Sequence, residues 1–458
     1  MDEGRGFGRS LLLQVRLAGL AVMGLVVGPL GGASAGNEDE LPVGNRAAMV
    51  GGAVTATVGD GSATYYNPAG LGAVDRNRVD VSASAYSLRY YRVPSFLQSD
   101  SGLRKDASVI EFVAVPTQVS YVRRLTAGIT LGLGYFVPRA SDVVLRERLA
   151  VPDGQDVSTW SLDLRVSSTT YVLGAALGAR LTPRLLVGGG LLAVYEDSVE
   201  SASVFGSAMR SNIAVRSVQF AVLGTYSRLS AEPGVGLQWR FDDHWTAAFN
   251  VRGPRLQLRR TGIESINASA VAPDNTGALS LGVVSQNVTD NAAQRGLLGL
   301  GRYHVATSYA AELWSASAEF DVQPGFRSVR TDASRRFTWN ARAGMTYKAD
   351  DDVLLGAGIF TDRDTARDQG NGAVSTRTNF YGATIGLSMD HELSLDEESQ
   401  ADSLVLTTVF ALRYAYGPGR SSVLVIDPNA GLEQLFGDDT SRSTTHEVAL
   451  HVGSALYF

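Results

Sequence analysis

The chain has 458 residues, 19% of them charged and 45% hydrophobic, a balance that excludes both a disordered chain and a bundle of transmembrane helices. It has no cysteine, which removes disulfide scaffolds, thiolate metal sites and cysteine nucleophiles. A net charge of −6 argues against a general nucleic-acid binder.

At the N-terminus, Arg5, Arg9 and Arg16 precede an apolar run from Leu17 to Gly28, which Pro29 breaks and Ala33-Ser34-Ala35 follows. A charged start, a short apolar middle and a small-x-small end predict an export signal over residues 1–35. The run is shorter than the ~20 residues a helix needs to span a bilayer; an N-terminal anchor is the competing reading. Gly32-Ala33-Ser34-Ala35-Gly36 matches the hydrolase string G-x-S-x-G, but it straddles the predicted cleavage site and cannot form an active site.

Residues 36–77 do not alternate. They contain Arg46 to Ala53, then Asp60-Gly61-Ser62-Ala63-Thr64-Tyr65-Tyr66-Asn67-Pro68-Ala69-Gly70-Leu71. Glycine and alanine permit close packing against neighbouring backbone, and Asn-Pro starts a turn. A segment this rich in small residues suits the inside of a barrel.

From Arg78 onward, apolar residues recur at every second position. In 314–323, Trp314, Ala316, Ala318, Phe320 and Val322 oppose Ser315, Ser317, Glu319, Asp321 and Gln323. The stretches 337–348 and 404–416 repeat the pattern, with aromatics near the ends of the apolar face. Such segments predict an all-β transmembrane antiparallel barrel of about fourteen strands over 78–458, apolar toward lipid and small or polar toward the lumen. A soluble β-sandwich also alternates, but the export signal, the aromatic placement and the segment length weigh against it. Within each strand a one-residue slip would reverse every side chain, so Glu319, Asp321, Asn340, Arg342 and Arg413 are expected in the lumen, and Trp339, Phe410 and Leu412 against lipid.

Tight turns at 123–126, 181–184, 241–244, 311–313 and 348–352 alternate with longer expected loops, including 138–158, 197–215 and 261–302; segment 390–400 is expected as a longer periplasmic turn. Pro233-Gly234 interrupts the sixth strand, which is either bent or in two pieces. Pro116 lies within the second and deletes a ladder donor; it marks either a bulge or a lateral gap in the wall. The chain ends on Val448, Leu450, Val452, Ser454, Leu456 and Phe458 at alternate positions, a terminal aromatic on an apolar face, as in the insertion signal of outer-membrane barrels.

Other motifs carry little. His446 and His451 are five apart, so on a strand they face opposite sides and cannot share a metal. Asp362, Asp364 and Asp368 lack the spacing of a calcium loop, and Gly188 to Gly190 suit lumen space better than phosphate binding. No catalytic constellation is found; the chain is read as a non-enzyme with no cofactor and no metal.

The segment from Arg46 to Ala53 and Asp60 to Leu71 resembles the opening of the FadL/TodX family of outer-membrane transporters for long-chain fatty acids and other hydrophobic compounds, departing from it at Gly61. The turn from Trp239 to Trp245 and Val251-Arg252-Gly253-Pro254 are similar in pattern. The resemblance implies a hatch over residues 36–77 carrying Asn67, Pro68, Ala69 and Gly70, a ligand site between hatch and wall, and sideways release into the membrane. It implies a monomer in the outer membrane of a Gram-negative cell, a fatty acid or hydrocarbon ligand, and contact with lipid and the barrel-assembly machinery. A FadL-like shell used only as a structural or surface-interaction barrel is the alternative. A general porin is less suited, because it has no hatch.

Overall fold

The computed structural model describes residues 37–99, 102–153, 156–209, 215–273, 279–290, 295–331, 333–366, 377–393, 404–426 and 440–458. The predicted export signal, the Gly32–Gly36 string, Asp368 and most of the 390–400 turn lie outside them. Among the described residues fourteen antiparallel strands close into a barrel. They are β1 (Arg78–Ser99), β2 (Arg104–Val115 and Gln118–Arg124), β3 (Ile129–Asp153), β4 (Asp156–Thr182), β5 (Leu185–Met209), β6 (Val215–Arg240) and β7 (Trp245–Arg252 and Arg255–Pro273). There follow β8 (Gly296–Gly299 and Arg302–Ala310), β9 (Trp314–Gln323), β10 (Thr338–Lys348), β11 (Val353–Asp362), β12 (Arg377–Thr378 and Phe380–Leu393), β13 (Leu404–Ser422) and β14 (Thr440–Tyr457). Each pairs with the next, and β14 closes on β1 with Leu450 opposite Tyr86.

The expected loops 138–158, 197–215 and 261–302 are for the most part strand. β4 alone has 27 residues, a length of roughly 90 Å at about 3.3 Å per residue, against an apolar band of about 25 Å. One half of the barrel, β3 to β7, therefore rises far beyond the membrane, and an added strand at Leu279–Asp290 extends its sheet.

The polarity of these strands inverts along their length. Near the turn end of β4, Leu173, Leu177 and Leu181 point outward, 49–61% exposed, and Gly174, Ala176 and Gly178 point inward. Further up the same strand, Trp160 and Leu162 are buried inside, in a cluster with Phe96, Leu97, Leu145, Leu149 and Val204. There the outer face carries ion pairs instead, Arg146–Asp163 at 2.9 Å and Arg165–Asp142 at 3.0 Å. The change falls at Tyr135, Tyr171 and Tyr195, stacked at 6.2 Å. A second girdle, Trp239, Phe241, Trp245, Tyr309 and Trp314, lies by the turns at the opposite end. Two aromatic girdles bounding an outward apolar band mark the bilayer-spanning part.

Pro233 does not break β6, which is continuous and pairs with β5 through Leu191 opposite Pro233. The irregularity lies in its neighbour: β7 is split at Gly253-Pro254, where the Gly253 N–H donates to the Pro233 carbonyl at 2.6 Å.

Candidate functional site: the lumen segment and the wall around it

Residues 37–74 fill the lumen. Val43, Val54, Ala63 and Leu71 are fully buried and form one core with Phe136, Val172 and Leu192 of the wall. The segment has only short helical turns, Asn45–Met49, Ala63–Tyr66 and a 3-10 turn Pro68–Ala73. Its backbone polar groups therefore need other partners, and inward side chains supply them. Gln238 donates to Thr55 O and Val58 O at 3.1 and 3.2 Å, Ser317 to Ala53 O at 2.7 Å and Thr384 to Met49 O at 2.9 Å. The Asp80 carboxylate accepts the Gly61 N–H at 2.9 Å.

Asn67 is completely buried. Its amide donates to Thr55 O at 2.9 Å and Leu237 O at 3.4 Å, and its carbonyl accepts the Ala69 N–H at 3.2 Å. It thus caps the turn begun by Pro68 and ties it to β6, far from the entry to β1; the chain leaves the lumen at Asp75, whose carboxylate pairs with Arg180 at 3.1 Å. The wall is carved to receive this segment. Gly188 leaves room for Pro68 and Ala69, Gly236 for Asn67, Gly453 for Asn45 and Gly358 for Val50. A Cβ at Gly178 would come within 2.6 Å of Gly72 N, and one at Gly386 within 2.6 Å of the Met49 side chain. Gly178, Gly188 and Gly358 are therefore docking seats for backbone, whereas Gly189 and Gly190 meet only the wall itself.

Above this body, Glu38-Asp39-Glu40 crosses the lumen through a cage of arginines. Glu38 pairs with Arg335 and accepts from Gln323 at 3.2 Å. Asp39 accepts from Arg302 and Arg342 at 2.6 Å each. Glu40 meets Arg139 at 3.2 Å and Arg89 at 3.4 Å. Burial pushes each carboxyl up; for Glu38 the guanidinium of Arg335, backed by Arg255 and Arg302, reverses this and holds it well below the usual range. Arg302 and Arg342 do the same for Asp39. For Glu40 burial wins over Arg139 and Arg89, helped by Glu111 and Glu447, and its carboxyl is raised.

Glu319, Arg342 and Arg413 lie buried in the lumen. Arg342 donates to Glu319 at 3.2 Å and Asp321 at 2.9 Å, and Arg413 to Glu447 at 3.1 Å. Asp321 and Asn340 are also inside, whereas Phe410 and Leu412 are 41% and 45% exposed on the outer face, and Trp339 sits there beside Phe320. His451 is buried against Ser82 at 2.8 Å, and His446 is on the other face beside Tyr414. Asp362 and Asp364 are buried, the latter accepting from Ala366 and Thr378 N–H groups at 2.6 and 3.3 Å. Phe458 is 48% exposed, its N–H donating to Asn77 O at 3.0 Å.

Pro116 sits at an interruption of the wall. The β1–β2 ladder stops at Ala85 opposite Val115 and resumes at Ser82 opposite Gln118. Next to it, the β3–β4 ladder slips between Phe136 and Arg139, across Pro138. The Thr117 N–H still donates to Ser82 O at 3.2 Å and the Val137 N–H to Thr117 O at 3.0 Å, so the wall is weakened and not open. Leu41 of the lumen segment covers the spot. Its N–H donates to Pro138 O at 2.9 Å, and its side chain packs on Val113, Val137 and Ala140. On the lipid side of the same strands lies an apolar depression of about 560 Å³ lined by Val119, Tyr121, Leu133, Tyr135, Leu173 and Leu191. Between lumen segment and wall, a cavity beside Asp39, Tyr66 and Arg413 and another beside Tyr65, Arg139 and Arg255 hold about 20 Å³ each, room for a single water.

Sequence reasoning passed over the acidic run 38–40, Leu41, Pro138 and most of the arginines. The run itself, three carboxylates beside the predicted cleavage site, was a visible signal; its partners were not.

No family profile matches the sequence, and no curated protein matches it. Solved structures do match in fold. A FadL homologue of Pseudomonas aeruginosa is 11% identical, with 92% of this chain and 99% of that one covered at a TM-score of 0.60. The P. putida toluene transporter TodX is 12% identical, with coverage of 92% and 99% and a TM-score of 0.57. The Ralstonia pickettii toluene transporter TbuX is 13% identical, with the same coverage and a TM-score of 0.53. The chain has the fold of the FadL and TodX barrels, and two of these neighbours are toluene transporters.

Proposed function

We propose that this barrel is an outer-membrane uptake channel for small hydrophobic molecules, a fatty acid or a hydrocarbon, which enter beside a lumen hatch and leave sideways into the bilayer. The observation that carries the reading is the weakened wall at Pro116 and Pro138, covered from inside by Leu41 and bordered outside by the apolar depression. Physical chemistry favours such a route. Moving alkyl chain from water to lipid is worth ~0.8 kcal/mol per CH₂, so a hydrophobic solute gains by leaving through the wall and gains nothing from a wet path through the periplasmic end. The hatch body, seated on glycines with Asn67-Pro68-Ala69-Gly70 at its base, closes the axial path to polar solutes. Phe458 ends the strand that joins β1 and serves as the insertion signal for the assembly machinery, and residues 1–35 direct export. The channel works as a monomer.

The test is uptake of labelled oleate and labelled toluene by cells of a deletion strain with and without the protein. Faster uptake of either, lost when the chain is absent, supports the channel. Equal uptake with a fully assembled barrel at the surface would leave the shell as a scaffold.

A further inference from the structure

We infer that the outer face of β12, β13 and β14 holds a binding site for the phosphorylated headgroup of a membrane lipid, built on Arg377, Arg420 and Arg442. Strand pairing sets these arginines in one row: Arg377 stands opposite Arg420, and Arg420 opposite Arg442. Directly opposed residues share a face and lie roughly 5 Å apart, where like charges repel. Arg420 and Arg442 are exposed on the face that also carries Tyr414, Tyr416, Val448 and Leu450, and among the described residues neither meets a carboxylate. The tall half of the barrel treats its outward arginines differently. There Arg92, Arg146 and Arg165 pair with Asp106, Asp163 and Asp142 at 2.9–3.0 Å. The arginine row is a concentration of like charge left for an anion from outside the chain.

What lies below the row makes that anion part of a lipid. Four residues toward the end that carries Phe458, about 13 Å along a strand, Tyr381, Tyr416 and His446 are opposed across the same three strands. Four residues further come Ile385, Leu412 and Leu450, again opposed, with no register shift between the layers. Cationic, aromatic and aliphatic rows thus stand one above another on one outward face. Side chains with an apolar body and a polar tip mark the membrane interface, and the exposed Ile385, Leu412 and Leu450 meet acyl chain. Guanidiniums just above the interface fall at the level of lipid phosphates. An arginine fork grips a phosphate through two parallel N–H···O bonds, and one phosphate between Arg420 and Arg442 turns their repulsion into a shared attraction. Free phosphate gains the arginines alone, whereas a lipid gains the two lower layers as well. The assignment rests on the outer-membrane placement in the channel reading and not on transport.

The test titrates the full chain in detergent micelles with bisphosphorylated lipid A, read by native mass spectrometry, beside dephosphorylated lipid A of the same acyl chains and inorganic phosphate. Bisphosphorylated lipid A is expected to bind in preference to both, and more weakly as salt rises. Arg420→Gln/Arg442→Gln should weaken it about tenfold in protein whose heat-modifiable migration shows an assembled barrel. Arg420→Lys/Arg442→Lys keeps the charge and loses the fork, and should fall between the two. Equal binding by the native chain and the glutamine variant, or equal binding of phosphorylated and dephosphorylated lipid, overturns the site. Inorganic phosphate that competes at the lipid's own concentration overturns its assignment to lipid. Arginine-dependent lipid A binding by a chain that fractionates with the inner membrane upholds the site and overturns the outer-membrane placement. An outer-membrane chain that binds lipid A equally well without the arginines does the reverse.

Discussion

Residues 37–41 and residues 45–73 belong to one lumen segment, yet the wall holds the first by charge and the second by shape. Residues 37–41 lie among arginines on long side chains from β1, β3, β8 and β10, with water-sized cavities beside them. The body presses its backbone into glycine seats on β4, β5, β10 and β11 and the side chains of Asn67 and Asn45 into seats on β6 and β14. Charge contacts can be exchanged one carboxylate for another, whereas a backbone seated on glycine has no substitute for the missing Cβ. The comparison teaches that one short segment can be held by two different kinds of contact, exchangeable at one end and fixed by shape at the other, without a separate domain.

The largest effect should come from the wall side of the cage. Asp321 is fully buried and serves both Arg302 and Arg342, so Asp321→Ala removes the carboxylate they share and leaves them to Asp39 and Glu319; a loss of stability of about 3 kcal/mol is expected, read as a lower urea midpoint in liposomes. A small loss would mean that Asp39 and Glu319 satisfy the pair. Next, Gly188→Val drives a side chain into the Pro68 backbone; overpacking of this kind costs about 1–3 kcal/mol. Conductance should rise as the body is displaced, and unchanged conductance would show that shape does not hold it. Asn67→Ala removes three hydrogen bonds at the base of the lumen segment, and a loss of about 1–3 kcal/mol is expected. Hydrophobic uptake should fall more than the amount of assembled barrel.

The smallest effect concerns acid. Glu38 and Asp39 have carboxyls held below their ordinary range. A group lowered in this way stabilises above its unfolded value and loses that contribution only as pH falls through its folded value. These two carboxylates should therefore keep residues 37–41 in place from about pH 8 to about pH 5, with flat single-channel conductance. Glu40, raised by burial, takes up its proton before the other two as pH falls, and Glu40→Gln should remove the first step of any acid-driven change.

Alternation is a local property, and so the sequence alone settled the barrel class and the strand boundaries nearest the turns. In Trp314 to Gln323 each residue's face follows from its neighbour's, whatever the rest of the chain does. The small-residue run around Asn67 likewise declared a segment that could not be a strand. Above the girdle the same code misled, because water replaced lipid outside: Leu145, Leu149, Trp160 and Leu162 turn inward, the apolar outer face disappears, and long strands read as loops. A slip at Pro138 also shifts the register between the two halves of β3. The arginine cage was beyond any local pattern. Arg89, Arg139, Arg302 and Arg342 are spread over more than 250 residues of sequence, Arg139 and Arg302 fall in stretches that read as loops, and only closure of the barrel brings the four around Glu38, Asp39 and Glu40. The seating of Leu41 on Pro138 O has the same origin, since which carbonyl a broken ladder frees, and which N–H reaches it, is fixed by the curvature of the whole wall.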